Sequence, residues 1–486
     1  MSIPSNTAII IVGAGKTGIT LAKEAARYLN ASNNHVSLAI YDKGKVTKRD
    51  TTEGFFIPDD VGEYRSATVQ MVLAEAYPEL KITAYGKLEK NTTMPTGMFS
   101  LYGQRHAIIC DCSGGKAREE IASLIMNSTA VQTYLLEPCK DGLCVMDFTK
   151  TQKKAGTKLV DEDTLKEGFR ADRNSQKLRT AYLMLSAICS MAEDKIQKKI
   201  VWNADTLSYC YESSFPVLDE REIASIPVRL KNKKISLVCI GAGGTGGNII
   251  KELLPYMLKN KNLTLTIVDG DRVEHKNLER QAFQERDILQ NKAETTVEKI
   301  GTQYPQLKER VKAVGRYINV LPEMDLFEDG YPVLIGAVDN HRARQIFVQW
   351  MEAVENGIWI DSANEFSYGE CVVSIKENGV LYSPMRSELF PEVLTDNSPS
   401  ATELSCGAVN ITSPQHQVTN LIAGMVVLSV LETLTEKGRI TGGMVAFDSL
   451  TSDGIFSRYQ PMYHRMEKNP PEKEVRHAKR KTTAGA

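Results

Sequence analysis

LVCIGAGGTG, residues 237–246, joins an apolar run to a glycine-rich turn, and this pattern occurs twice in the chain. Near the amino terminus, IIIVGAGKTG at 9–18 has the same form, with Gly13 aligned on Gly241. An apolar strand, a glycine turn and a helix, followed by a second apolar strand, predict a βαβ unit and a parallel sheet covered by helices. The two turns therefore predict two such units in one chain.

Three further pairs of segments support a duplication. The segments are AIYDKGKVTKRDTTEGFF (39–56) with TIVDGDRVEHKNLERQAF (266–283), VGEYRSATVQMVLAEAYP (61–78) with ILQNKAETTVEKIGTQYP (288–305), and IICDCSGGKAREE (108–120) with IGAVDNHRARQIF (335–347). All are offset by close to 227 residues, the separation of Asp42 and Asp269. We therefore expect an α/β protein of two tandem Rossmann-like domains, with parallel-rich sheets covered by helices. We place the first at 1–225, the second at 226–461, and a flexible, charged tail at 462–486.

Composition excludes several classes of protein. The chain has 486 residues, of which 42% are hydrophobic and 24% charged, as in globular proteins. A net charge of -1 gives no field that would draw it to nucleic acid or to a membrane surface. We find no apolar stretch of the ~20 residues that a membrane span needs, and no signal peptide. The nine cysteines and seven histidines lack metal-ligand spacing, so we expect no zinc, reduced thiols and a cytoplasmic location.

The second copy carries residues suited to a nucleotide with several phosphates. Its glycine turn lets backbone N–H groups approach a phosphate, and Asp269 follows an apolar strand, where it can accept hydrogen bonds from a ribose. These features fit a dinucleotide equally well. Arg280 and Lys292 add the cations that a triphosphate needs, and Asp339 adds an oxygen ligand suited to Mg²⁺. The combination favours an ATP site over a dinucleotide site.

The order of these motifs resembles the ThiF/MoeB and ubiquitin-activating enzyme superfamily. The motifs are GAGGTG, V-D-G-D-x-V, N-L-x-R-Q, a lysine and V-D-N. The resemblance implies that ATP and Mg²⁺ are bound and that the C-terminal glycine of a ubiquitin-like protein is adenylated. It implies a nucleotide site formed by Gly241, Gly243, Gly244, Asp269, Asp271, Asn277, Arg280, Gln281, Lys292, Asp339 and Asn340, with Asp339 as the metal ligand. It also implies a strand at FSYGECVVSI (366–375) beside the acyl-adenylate, and a crossover segment near 383–416.

The first copy has lost most of these residues. Asp50 stands opposite Asn277, Glu53 opposite Arg280, and approximately Ser113 opposite Asp339, while Arg65 opposite Lys292 keeps a positive charge. Acidic groups where phosphates would lie repel ATP. We therefore expect the first half to be an inactive partner lobe that pairs with the active one within the chain. The alternative is that GAGKTG and Asp42 bind a different nucleotide.

A cysteine near the end of the second copy is the predicted nucleophile. In the superfamily, a cysteine before a late helix takes the acyl group, and ELSCGAVNITSPQHQVTNLIAGMVVLSVLETL (403–434) is similar to that segment. Ser413 and Pro414 favour a helix start there, and Gly438 favours its end. Cys406 precedes this helix, and the neighbouring Ser405 is the alternative nucleophile. Cys239 and Cys371 lie in apolar strands and are predicted to be buried.

These patterns predict an enzyme that adenylates a ubiquitin-like protein and then transfers it to its own cysteine and to a conjugating enzyme. The first alternative is adenylation of a sulfur-carrier protein, as in ThiF and MoeB. The others are a nucleotide-binding oxidoreductase, against which Arg280, Lys292 and Asp339 argue, and a scaffold without activity. Many relatives also send an arginine from the partner lobe into the ATP site, and Arg170 or Arg173 are the candidates here.

Overall fold

A computed structural model describes most of both halves of the chain, and it forms two compact units. The first is built mainly from residues 1–202 and the second mainly from 216–448. The limits of the halves and of the tail given above remain a prediction. The described residues are 7–32, 36–53, 55–90, 106–128, 130, 132–139, 142–149, 174–191, 199–203, 208–211, 224–225, 230–278, 281–396, 416–440 and 443–449.

The first unit contains a sheet of eight strands with the order β3-β2-β1-β4-β5-β6-β7-β8. The first five strands are parallel, and β6 runs antiparallel to β5 and β7. Its strands are β1 (Thr7–Val12), β2 (Ser37–Tyr41), β3 (Lys81–Tyr85), β4 (His106–Asp111), β5 (Gln132–Cys139), β6 (Gly142–Thr149), β7 (Lys199–Asn203) and β8 (Ser208–Tyr211). Its helices are α1 (Lys16–Ser32), α2 (Arg65–Ala76), α3 (Arg118–Met126) and α4 (Asn174–Ser190).

The second unit repeats this arrangement with the order β12-β11-β10-β13-β14-β15-β16, and β18 also pairs with β15. A separate two-stranded sheet joins β9 to β17. The strands are β9 (Ala224–Ser225), β10 (Ile235–Ile240), β11 (Leu263–Val268), β12 (Val311–Val314), β13 (Tyr331–Gly336), β14 (Gly357–Asn364), β15 (Tyr368–Glu377), β16 (Val380–Leu381), β17 (Arg439–Ile440) and β18 (Met444–Asp448). The helices are α5 (Gly244–Lys259), α6 (His275–Leu278), α7 (Lys292–Gln303), α8 (His341–Ala353), α9 (Arg386–Leu389), α10 (Glu392–Thr395) and α11 (Gln417–Glu432).

The duplication and the fold class predicted from the sequence are confirmed. Both sheets place their first, second and third strands on one side and their fourth, fifth and sixth on the other. The order therefore reverses between β1 and β4 and between β10 and β13. In doubly wound sheets the crevice at such a reversal, beyond the carboxyl ends of the strands, is where ligands bind.

Burial on both faces explains why the central strands are apolar throughout. All six residues of β10 are buried. Val238 and Ile240 share a core with Phe347 and Trp350 of α8. On the other face, α11 packs against α5 and against β14 and β15. A strand covered by helices on both faces has no polar side to alternate with its apolar side.

The expectation that no apolar stretch reaches the length of a membrane span is wrong. Residues Gln417–Glu436 are long and apolar enough to cross a membrane by length and composition alone, and this is the one such segment in the described part of the chain. The most apolar 18 residues of this segment are all buried inside the protein. The helix is apolar on all sides because α5 and the strands of the second sheet surround it.

Candidate active site

The glycine turn after β10 is shaped by close contact with the loop that follows β13. Gly241 has φ +102°, and a Cβ atom there would lie 2.4 Å from the Ala337 carbonyl oxygen. A Cβ on Gly246 would lie 1.9 Å from the Gly241 carbonyl oxygen. Any other residue at these two positions would push the turn away from the strand. Gly243 is the N-cap of α5, and Gly244 is its first residue, so backbone N–H groups are directed toward the crevice.

Asp269, directly after β11, is tied to that turn. One carboxylate oxygen, Oδ2, accepts a hydrogen bond of 2.7 Å from the Ala242 N–H, and Oδ1 accepts one of 2.8 Å from the Asp271 N–H. Burial raises the pKa of Asp269, and the nearby Lys292 ammonium opposes that rise. The side chain therefore has a fixed orientation, and each oxygen retains a lone pair for a further donor.

Lys292, the first residue of α7, is held in the same place. Its Nζ donates to Asp271 Oδ2 at 2.8 Å, and its side chain is only 9% exposed. Asn291, the N-cap of α7, donates through Nδ2 to the Asp269 carbonyl at 2.8 Å and the Asp271 carbonyl at 3.2 Å. The start of α7 and the end of β11 are thus locked together, and a buried ammonium lies beside the predicted ribose acceptor.

Asn277 and Gln281, which lie between β11 and α7, also make structural contacts. Asn277 is buried, and its Oδ1 accepts a hydrogen bond from the Glu274 N–H, which closes the turn of α6. Gln281 extends toward the glycine turn, since a Cβ on Gly243 would lie 3.8 Å from its Nε2. The Oε1 atom of Gln281 is buried and has no hydrogen-bond partner among the described residues. An unpaired buried amide oxygen is unusual, and a bound ligand could donate to it. Arg280 lies outside the described residues.

Asp339 follows β13 and is exposed at the mouth of the crevice. Its neighbour Asn340 is the N-cap of α8 and accepts from the Ala343 N–H at 2.9 Å. No cluster of three or more metal-ligating side chains was found among the described residues. Mg²⁺ in nucleotide sites is commonly held by one or two carboxylates together with phosphates and water, so a single Asp339 is compatible with that kind of metal site.

A buried charge network lies behind the Asp339 loop, and the sequence analysis missed it. Arg344 of α8 donates through Nη2 to the Val338 carbonyl at 2.6 Å and through Nε to Asp361 Oδ2 at 3.1 Å. Arg386, at the start of the predicted crossover segment, contacts Asp361 at 3.0 Å and also pairs with Glu370. In the sequence, the Ala-Arg pair after the V-D-N motif was the one signal for Arg344. Asp361 and Glu370 gave no signal, because they lie within strands that contain mainly buried residues.

The first unit keeps the acid, but the cation at the corresponding place has a different partner. Asp42 accepts from the N–H groups of Ala14 and Gly44, as Asp269 does from Ala242 and Asp271. Arg65, however, forms an ion pair of 2.9 Å with Asp50. Asp50 stands opposite the neutral Asn277, so in this half an acid lies beside the cation where the second copy has an amide.

One alignment from the sequence analysis needs correction. A Cβ on Gly13 would meet the Cys112 carbonyl, as one on Gly241 would meet the Ala337 carbonyl. Cys112 therefore corresponds to Ala337, so the residue opposite Asp339 is Gly114, one position beyond Ser113. The connection from β3 to β4 is longer than the connection from β12 to β13, which shifts a register counted along the sequence. The side chain of Glu53 lies outside the part that the structure describes.

The predicted nucleophiles, Cys406 and Ser405, lie outside the described residues, as do Arg170 and Arg173. The helix that follows begins later than predicted. It starts at Gln417, and its N-cap is His416, whose Nδ1 accepts from the Val418 N–H at 3.2 Å. The helical segment continues beyond α11 as a π-helix over Thr433–Lys437 and ends, as predicted, at Gly438, which has φ +62°. Cys239 and Cys371 are fully buried, as predicted, and burial raises the pKa of Cys239 to about 12.

Comparison with known proteins agrees with this geometry. The model of the ThiF family matches residues 220–470, which contain every part of the site described above. The chain belongs to the ThiF family. Enzymes of the ThiF family are adenylyltransferases that bind ATP and act on ubiquitin-like or sulfur-carrier proteins. No curated protein matches the chain.

Proposed function

We propose that the chain adenylates the C-terminal glycine of a ubiquitin-like protein, using ATP and Mg²⁺, in its second half. The observation that carries the proposal is the position of Lys292. Its buried ammonium is held 2.8 Å from Asp271 beside Asp269 and the Gly241 turn, at the strand-order reversal. A ribose acceptor, a fixed cation and a helix N-terminus at one crevice form a suitable site for a nucleoside triphosphate.

The reaction requires attack by a carboxylate on the α-phosphorus of ATP. One oxygen of the carrier's terminal carboxylate bonds to phosphorus, the bond from the α-phosphorus to the bridging oxygen breaks, and pyrophosphate leaves. In our proposal Asp269 orients the ribose, while Arg280 and Lys292 offset the negative charge that builds up on the phosphates. Asp339 would hold Mg²⁺, and the bound ion would neutralise further charge on the phosphates. The protein thus acts by orientation and electrostatic stabilisation.

The second step in the proposal transfers the acyl group to the enzyme. The Cys406 thiolate attacks the carbonyl carbon of the acyl-adenylate, the bond to the phosphate oxygen breaks, and AMP leaves. A thioester remains, from which a conjugating enzyme can take the carrier. This step separates a ubiquitin-like activator from an adenylyltransferase that passes its adenylate on for sulfur transfer.

Pyrophosphate exchange tests the first step. We expect the protein to exchange labelled pyrophosphate into ATP when Mg²⁺ and a small carrier protein with a free C-terminal glycine are present. The same carrier without its terminal glycine is the matched control and should support no exchange. If exchange is absent with every such carrier, or if the protein binds a nicotinamide dinucleotide instead, the proposed function is wrong.

A further inference from the structure

Tyr317 forms a hydrogen-bonded connection to Lys292 through Asp271. It lies three residues beyond the end of β12, and its hydroxyl donates to Asp271 Oδ1. The other oxygen of that carboxylate, Oδ2, accepts from Lys292 Nζ at 2.8 Å. One carboxylate therefore joins a phenol from one loop to an ammonium from α7, and both of its oxygens are occupied.

The ring of Tyr317 is held by its packing on Gly270. A Cβ atom on Gly270 would lie 2.4 to 2.7 Å from three atoms of the ring. The residue between the two acids therefore has to be a glycine for the ring to lie over the backbone. With the ring in place, the hydroxyl donates to Oδ1 while Lys292 donates to Oδ2, so the carboxylate has little freedom to turn.

The first unit lacks all three members of this connection. Gly44 corresponds to Asp271, because its N–H donates to Asp42 as the Asp271 N–H donates to Asp269. Leu88 follows β3 by three residues, as Tyr317 follows β12. The position of Lys292 is occupied by Arg65, which pairs with Asp50 instead. The connection is thus absent from the copy in which the predicted phosphate-binding residues are also absent.

The charges around Asp271 support an ionised carboxylate. Burial acts to raise the pKa of Asp271, but Lys292, the hydrogen bonds from Lys292 and Tyr317, and the more distant Lys276 bring it below the ordinary value. The charge of Asp271 in turn raises the pKa of Asp269, after the larger effect of burial. Burial and the contact with Asp271 raise the pKa of Tyr317, to which Glu274 adds, so its hydroxyl stays protonated and donates.

We propose that Tyr317 is a positioning residue of the adenylation site, which orients Asp271 so that Asp271 holds the Lys292 ammonium toward the nucleotide phosphates. This inference rests on the function proposed above. Tyr317 has no contact with reacting atoms in this scheme. It acts through two other side chains, and it sets where the cation lies when ATP binds.

The first test does not depend on activity. Tyr317→Phe keeps the ring and removes only the hydroxyl, so the fold should be retained. We expect the rate at which an amine-reactive ester acylates Lys292, measured by peptide mass mapping, to rise about tenfold once Asp271 is free to turn. The exposed Lys234 in the same molecule is the internal reference and should react at an unchanged rate.

The matched control is Tyr331→Phe. Tyr331 also donates its hydroxyl to a carboxylate, Glu377 Oε2, at 2.9 Å, but it lies at the start of β13, the end of the strand away from the crevice. This variant should leave the acylation of Lys292 as in the wild type. If Tyr317→Phe changes Lys292 no more than Tyr331→Phe does, the proposed connection is wrong.

Pyrophosphate exchange provides the second readout. Tyr317→Phe should lower kcat about tenfold with little change in the KM for ATP, because the cation is misplaced mainly in the transition state. Removing the hydrogen bond raises the pKa of Asp271, so the acidic limb of the pH profile should move to higher pH.

A loss of exchange with unchanged Lys292 acylation would contradict the proposal, since Tyr317 would then act directly on the nucleotide. If the wild type shows no exchange, the proposed function fails while the acylation result still decides the role of Tyr317.

Discussion

Asp339 is the residue whose replacement separates metal binding from folding most cleanly. Its side chain is exposed, and the hydrogen bond found for it among the described residues comes from Asn340 Nδ2 at 3.4 Å. We expect Asp339→Ala to lower Mg²⁺-dependent pyrophosphate exchange about 10²- to 10³-fold, because an oriented electrostatic group is lost. The melting temperature should not change. Asp329→Ala removes another exposed acid, which pairs with Lys234, and should leave exchange intact. Equal exchange by the two variants would show that Asp339 does not serve the metal.

Cys406 allows the two chemical steps to be separated. Cys406→Ala should still exchange pyrophosphate, since adenylation needs the phosphate site and not the thiol. It should form no covalent complex with the carrier on a non-reducing gel. Cys189→Ala removes a buried thiol of the first unit, whose pKa is raised by burial, and should form the complex normally. A wild-type complex that resists reductant but breaks in mild alkali would identify a hydroxyl such as Ser405 as the nucleophile.

At the scale of elements, we expect the N-terminus of α11 to be sensitive to pH. Val418 N–H donates to Nδ1 of His416, which requires the neutral imidazole, and burial lowers the pKa of His416 to about 4. A histidine with a lowered pKa in the folded state stabilises the fold above its unfolded pKa of about 6.5, and that stability is lost as the pH falls toward 4. Between pH 7 and pH 5 the loss should be about 2 kcal/mol.

His416→Asn is the variant that isolates this effect. Asparagine also caps helices but does not titrate in this range. The free energy of unfolding, obtained from urea titrations at pH 7 and pH 5, should therefore fall less in the variant by about 2 kcal/mol. If wild type and variant lose the same stability between these two pH values, protonation of His416 does not weaken the fold.

At the scale of the whole molecule, the two halves carry the same acid in different surroundings. Asp42 and Asp269 each accept two backbone N–H groups, so replacing either by alanine removes the same structural contacts. By isothermal titration we expect one ATP per chain, nearly unchanged binding in Asp42→Ala and no binding in Asp269→Ala. The reason is that Asp50, the ion-pair partner of Arg65, places an acidic group where the second copy has the neutral Asn277. Two ATP per chain would contradict the assignment of an inactive first half.

The sequence by itself determined the α/β class, the duplication and the edge of the sheet where the candidate site lies. Buried runs such as β1 and β10 leave a clear apolar signal, and glycine is required at Gly13 and Gly241 by local backbone geometry. Such features depend on residues that are close in the chain, and these are the features that periodicity and spacing record.

Only the tertiary structure decided how the polar residues are paired. Asp271 and Tyr317 are 46 residues apart, and Arg344 and Asp361 are 17 apart on different elements. They meet because the carboxyl ends of parallel strands converge at one edge, and no local pattern along the chain states which side chains will face each other there. The same limit explains why the sequence assigned Lys292 to phosphates but did not reveal that Asp271 and Tyr317 hold it in place.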